Sequence, residues 1–300
     1  SSHISRANPR IGHQGYDEII AFEYYKNQRR NGEMEFLSND GKQIQIQMDG
    51  EVYARHIIKT HFVKIGEDYL ALIDQYVKPL YQEGDLLSIS EKVIALCQNR
   101  VIYKTEMKLS RLAKFLSRFA SSSSAGIGVD SPWKMQFAID HCGCLKVIWA
   151  ALIAGIGKLF GKKGVFYDIV GQEVSGLDGF YDHVFPEYGE YGIRIPEDPS
   201  GVCNEIYEKT GVMSMIVDAN DLSVEILGYA SHVPYSEQQL VQLIADNPAG
   251  QSNQLTPFIL IRKVDLPAPQ EALEPTPLNV QNETDAIPAD TKLENTDEQI

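Results

Sequence analysis

The chain has 300 residues, 43% hydrophobic and 23% charged, with a formal net charge of −14. That length holds one large domain or two intimate ones and buries a core without help from disulfides or metals. Residues 265–300 carry −8 of the charge, nine acidic residues against Lys292 alone, which leaves −6 for the rest. Such a mildly acidic body argues against a nucleic-acid-binding face and against electrostatic attraction to anionic lipid, so neither nucleic acid nor membrane is expected as a partner.

Cys97, Cys142, Cys144 and Cys203 are too few for a disulfide framework. They suit a reducing compartment, and a cytoplasmic location is expected. His141 followed by Cys142-Gly143-Cys144 is half a zinc pattern. Its spacing is one residue and no second pair follows, so buried free thiols are expected instead. No secretory signal pattern opens the chain.

Residues 1–32 are polar and irregular. Gln43 to Met48 alternates strictly between apolar and polar, and turn signals at Asn39-Asp40-Gly41 and Asp49-Gly50 bracket it. That predicts an antiparallel meander with a second strand over Val52 to Lys59. Leu70, Ile73 and Val77 predict a helix over 69–77 that Pro79 stops. A buried strand follows over Leu86 to Ile89, with Ser90-Glu91-Lys92 at its end. A helix over 109–119 carries Arg111, Lys114 and Arg118 on its wet side. Ser121 to Ser124 predict a mobile loop. Asp130-Ser131-Pro132 caps a helix that runs to about Cys142. The run Leu145 to Phe160, LKVIWAALIAGIGKLF, is too short for a membrane span and contains Lys146 and Lys158. It predicts a buried helix, with an interfacial amphipathic segment as the minor alternative.

Gly155 to Gly164 is glycine-rich but lacks the G-x-x-x-x-G-K-[ST] order of a phosphate loop, so it reads as a helix end and a basic turn. Lys162 and Lys163 there still offer an anion contact. Val165 to Val170 predicts a strand that enters a loop containing Asp178 between Gly176 and Gly179, glycines that would let the backbone approach a ligand. A helix over 201–209 and a strand from Val212 follow. That strand, Met213 to Val217, runs into Asp218, Asn220 and Asp221. Such an oxygen cluster at a strand end suits a hard cation with bound phosphate, or else an Asx turn that bonds its own backbone. Val224 to Leu227 is a strand, 237–244 a helix, 247–253 a polar loop and Phe258 to Arg262 the last buried strand. Beyond Val264 the acidic, proline-containing segment is expected to be disordered.

Several of these pieces, taken in order, resemble the F420-0:γ-glutamyl ligase (CofE-like) family and look closest to a divergent bacterial branch of unassigned activity. They are Thr60 to Asp68, Gly84 to Lys92, Leu177-Asp178-Gly179, Met215 to Asp221 and the 247–257 loop, together covering about residues 55–264. The resemblance implies a mixed α+β fold of mostly antiparallel sheets with flanking helices, the CofE-like ligase fold, over residues 33–264, and a homodimer. It also implies a carboxylate–amine ligase working through an acyl-phosphate. Mg²⁺ or Mn²⁺ would be the metal, GTP or ATP the co-substrate, and a small acidic molecule with L-glutamate the reactants. A catalytically inactive nucleotide- or ligand-binding module of the same fold is the alternative.

On that resemblance Asp178 and Asp218 match the metal-binding aspartates, with Asn220 and Asp221 assisting. Lys92 joins the two aspartates in the catalytic group, and Lys92 or Lys162 would meet phosphate. Thr60, His61, Phe62, Val63, Glu91, Lys92, Gly250, Gln251 and Ser252 fall at nucleotide-contacting positions. The chain departs from the family pattern at four places. Leu96 stands where a lysine meets the nucleotide, Ala219 where a threonine binds metal, Gln251 where a glutamate does, and Tyr181 where an asparagine is usual. An amide in place of a carboxylate lowers the charge that would hold a second cation.

Overall fold

The structure is a computed structural model that describes residues 29–30, 33–120, 129–162, 164–181, 185–220, 223–250 and 254–265. In chain order the strands are β1 (Arg29–Arg30), β2 (Glu33–Met34), β3 (Gln45–Met48), β4 (Glu51–Ile58), β5 (Leu86–Ser90), β6 (Val101–Tyr103), β7 (Asp178–Gly179), β8 (Tyr191–Ile193), β9 (Met213–Ala219), β10 (Val224–Tyr229) and β11 (Phe258–Val264). The helices are α1 (Tyr69–Leu72), α2 (Glu91–Cys97), α3 (Arg111–Ser117), α4 (Pro132–Cys142), α5 (Cys144–Leu159), α6 (Val165–Val170), α7 (Gln172–Ser175), α8 (Pro199–Thr210) and α9 (Glu237–Ile244). A wider helical turn, Ile73–Val77, extends α1.

The expected meander is the edge of a six-stranded mixed sheet in the order β10-β9-β5-β11-β4-β3. Asp49 and Gly50 both adopt positive φ, so the β3–β4 hairpin turns with the twist of its strands. Every pairing in the sheet is antiparallel except β5 with β9. Strand β4 is buried along nearly its whole length, and it carries two polar side chains into the interior. Arg55 pairs with Asp246 and donates to the carbonyls of Gln43 (2.5 Å) and Leu243 (3.2 Å). Burial first, and then the Arg262 charge, push His56 down to about 4, so it is neutral at physiological pH. Arg262 on β11 grips Asp85 with two hydrogen bonds of 2.8 and 2.6 Å. A buried pair of this kind needs that bidentate geometry to offset its lost hydration.

The sheet lobe buries Ile58, Ile73, Ile89, Ile94, Ile216 and Leu260 in one apolar cluster. A second cluster lies among the helices α3 to α7, around Met135, Phe137, Val147, Phe166, Val174 and Leu177. Between them stands a three-stranded antiparallel sheet, β6-β8-β7. The class is therefore α+β.

Three expectations fail. Of the four thiols only Cys203 is buried; Cys97 and Cys142 are half-buried and Cys144 is exposed. Val165 to Val170 is the helix α6, not a strand. Gly164 enters it in the left-handed region, and Phe166 and Val170, four residues apart, share the buried face. A six-residue apolar run is the case in which periodicity does not separate strand from helix. Leu145 to Phe160 is a helix as expected, but not a buried one. Only Val147 and Ala150 of α5 are buried, and its large apolar side chains face outward. The Ser121–Ser124 loop and the segment from 266 onward lie outside the described residues.

Candidate functional site

The parallel pairing of β5 with β9 builds the site. Parallel strands end on the same side of a sheet, and the register sets Ser90 beside Val217. The next residues on each strand, Glu91 and Asp218, therefore emerge together. Glu91 opens α2, which places Lys92 in its first turn. The small sheet brings the third group, because β7 pairs with β8 and sets Asp178 opposite Ile193. Glu173 on α7 holds that arm in place by bridging Arg100 (2.8 Å) and Arg194 (2.9 Å).

Gly179 is required for close packing rather than for approach to a ligand. It sits at φ +85°, and a Cβ there would lie 2.4 Å from the Tyr191 carbonyl oxygen. Only glycine allows β7 and β8 to come so near, and that contact fixes the neighbouring Asp178.

Lys92 Nζ lies 2.5 Å from Asp178 Oδ2. Asp178 Oδ1 accepts from the Gly179 N–H at 2.8 Å, and the Tyr181 hydroxyl donates to Oδ2 at 3.3 Å. Burial works against both charges of the pair, but their attraction wins. Lys92 is held well above the ordinary lysine range, and Asp178 below the ordinary carboxylate range. Glu91, only 7% exposed, is pushed well up by burial and then by Asp218. Burial also raises Asp218, with Asp178 adding to the effect and Lys92 and Lys134 opposing it. Lys134, on α4, donates to the carbonyls of Leu177 (2.7 Å) and Ser175 (3.0 Å). Burial pulls it down to about 8.

A cleft of about 150 Å³ opens beside this cluster. Thr60, His61, Phe62, Val63, Lys92 and Gly250 line it, together with Leu96, Tyr181, Phe185 and Tyr188. Phe62, Phe185 and Tyr188 form an aromatic wall with ring centroids 5.0 to 5.6 Å apart. His61 is held between the Tyr76 hydroxyl (2.6 Å) and Glu67 (2.8 Å). Cavities that enclose a whole small ligand usually measure about 300–1,000 Å³. This cleft is smaller than that, so a ligand of nucleotide size would extend beyond it, and one ammonium is among its lining groups.

The fold thus gathers Lys92, Asp178, Asp218 and Glu91 into one electrostatic cluster and gathers Thr60 to Val63, Lys92 and Gly250 around one cleft. Lys162 lies elsewhere, exposed on the turn after α5. Asn220 caps its own turn, accepting from the Ser223 N–H at 3.0 Å. Asp221, Gln251, Ser252 and Lys163 lie outside the described residues. Leu96 is packed with Tyr188, Tyr191 and Ile193 and also lines the cleft, so the position faces the site but carries no charge.

As arranged, the described donors do not fit a divalent cation. Lys92 already holds Asp178, and among the described residues no group of three His, Cys, Asp or Glu side chains is placed to bind a metal. Sequence reasoning missed Lys134, because a lysine between Trp133 and Met135 reads as the wet side of a helix. It missed Phe185 and Tyr188 because aromatics in an irregular segment carry no period.

The chain matches no protein-family model, and no curated protein matches it in sequence. Among the described residues no helix is long and apolar enough to cross a membrane.

Proposed function

We propose that the chain is a binding module with the CofE-like fold, and that its cleft takes a planar-ringed anionic small molecule of the nucleotide class. The observation that carries this reading is an aromatic wall of Phe62, Phe185 and Tyr188 in a cleft that Lys92 also lines. A ring would stack on the wall while a phosphate or carboxylate meets the ammonium, a charge-assisted contact of the strong kind. Burial and the nearby Asp218 raise the Glu91 pKa, which lessens the negative charge an anionic ligand would meet there.

A second reading is a metal-dependent carboxylate–amine ligase that uses GTP or ATP and joins L-glutamate to a small acidic substrate. One observation favours it. Asp178 and Asp218, far apart in sequence, act on each other through the same cluster. It requires Lys92 to give up Asp178.

Titration calorimetry with ATP and GTP separates the two readings. The binding module should bind nucleotide equally with EDTA or Mg²⁺ present and lose at least tenfold in affinity on Lys92→Met. Binding that vanishes with EDTA and returns with Mg²⁺ or Mn²⁺, together with phosphate release in the presence of glutamate, would favour the ligase. A chain that binds neither nucleotide under any of these conditions would refute both.

A further inference from the structure

Helix α5 is built inside out. Its inner face is small, with Val147 and Ala150 buried, while Leu145, Trp149, Leu152, Ile156, Leu159 and the following Phe160 are each more than half exposed. Leu145 and Leu159 reach 84% and 85%. The spacing of the first five alternates between four and three residues, so they form one continuous stripe on a 16-residue helix. At about 1.5 Å per residue the stripe is roughly 24 Å long. On α3 of the same lobe Phe115 is also exposed, and its ring lies 5.0 Å from that of the exposed Phe119 beyond the helix end. Monomeric proteins rarely leave so continuous an apolar surface without a use.

The charge around it is the reverse of the chain's. Residues 111–175, from α3 to α7, contain eight lysines and arginines against Asp130, Asp140, Asp168 and Glu173, a net +4, which leaves −18 for the remainder. Arg111, Lys114 and Arg118 on α3, Lys146 on α5 and Lys162 beyond it are all exposed. The acidity that counts against lipid attraction for the whole chain is therefore absent from this lobe.

The lobe joins two features, a large apolar face and a basic surround. A second copy of the chain fits them poorly. It would bring like charges together, and the stripe spans about two heptads where a stable coiled coil needs three or four. A membrane surface fits both features. Leu, Trp and Phe side chains of an interfacial helix sink to the acyl boundary, while Lys and Arg meet headgroup phosphates. Each basic side chain near an anionic surface adds attraction that salt weakens.

We propose that the helical lobe docks the protein reversibly on an anionic lipid surface, with the outer stripe of α5 buried at the headgroup–acyl boundary. Flotation of the full chain tests this with two kinds of vesicle, phosphatidylcholine alone and phosphatidylcholine with about 30% phosphatidylglycerol. The chain should float at least tenfold more with the anionic vesicles, and less as salt rises. In a Trp133→Phe background Trp149 is the only tryptophan, and its emission should shift to the blue on binding. Leu152→Glu with Ile156→Glu should abolish flotation at an unchanged melting temperature, because both sites are on the outside. Lys146→Glu with Lys162→Glu should cut binding at least tenfold and flatten its salt dependence. Absence of flotation with anionic vesicles, or a Trp149 emission unmoved by them, would overturn the proposal. So would a concentration-dependent dimer in sedimentation that Leu152→Glu dissolves, since it would give the stripe to a second copy. Capture of an acidic protein without any vesicle binding would overturn it as well.

Discussion

The sheet lobe and the helical lobe treat charge and oil in opposite ways. In the sheet lobe charge goes inside: Asp85 is buried against Arg262, and Arg55 is buried with its guanidinium reaching a half-exposed Asp246. In the helical lobe large apolar side chains stay outside, from Leu145 to Phe160. The first arrangement ties stability to a few buried contacts. The second leaves a surface whose residues contribute little to the fold, so their cost in solubility points to a role outside it. The Lys92–Asp178 pair joins an arm of the small sheet to the end of β5, and it shares features of both, since about a third of Lys92 remains exposed.

The largest expected effect tests the buried pairs. Asp85→Ala leaves Arg262 without its carboxylate in a site where Asp85 is 2% exposed. It should cost about 3–5 kcal/mol, measured by urea denaturation. A loss below about 1 kcal/mol would show that the sheet lobe does not depend on its internal charges.

Asp178→Asn should cost less, about 2 kcal/mol, because the Lys92 it strands is partly hydrated. The same variant should lower the pKa of Lys92, which NMR of the lysine side chain can follow. An unmoved Lys92 would mean that the pair does not form in solution.

Of the fold, the parts carried by period and punctuation were legible in advance. The Asp49-Gly50 hairpin, strands β4, β5, β9, β10 and β11, the helix start at Ser131-Pro132 and the helix over 237–244 follow from alternation, turn residues and caps. What misled was hydrophobicity taken as burial. Leu145 to Phe160 is as apolar as a core helix, and only the tertiary arrangement shows which face the lobe covers. The site was half legible. Asp178, Asp218 and Lys92 stand out as charged groups at strand ends and among glycines. Their meeting depends on a parallel pairing between strands more than a hundred residues apart, which no local pattern encodes. Lys134 and Tyr188 join for the same non-local reason.

Glu91 gives a smaller effect with a definite sign. Its folded pKa is raised above 4.5 by burial and by Asp218. The folded chain therefore holds a proton that the unfolded chain gives up. That contribution is complete below the unfolded value and is lost as pH rises through the folded one. Glu91→Gln keeps the neutral form at every pH. It should have a higher Tm than the parent at pH 7 and the same Tm at pH 4. A parent whose Tm climbs between those pH values relative to the variant would reverse the assignment.

The smallest effect closes the comparison. Leu152→Ser, on the outer stripe of α5, should change stability by less than about 0.5 kcal/mol, as surface substitutions do. A loss of about 2 kcal/mol or more, the size of a core truncation, would mean that the stripe is covered in the native protein in solution.

Strand β11 has a consequence for how the protein is made. It lies between β4 and β5 and pairs with both, yet it is the last strand of the chain among the described residues. During synthesis β4 and β5 leave the ribosome about 200 and about 170 residues before the strand that joins them. Until Phe258–Val264 arrives, each keeps an open edge rich in Ile, Val and Leu, the kind of edge that recruits other chains. Translation that stalls or terminates before residue 258 would therefore release a chain prone to aggregate, and the nascent protein is a natural client for chaperones until its final strand slots into the middle of the sheet.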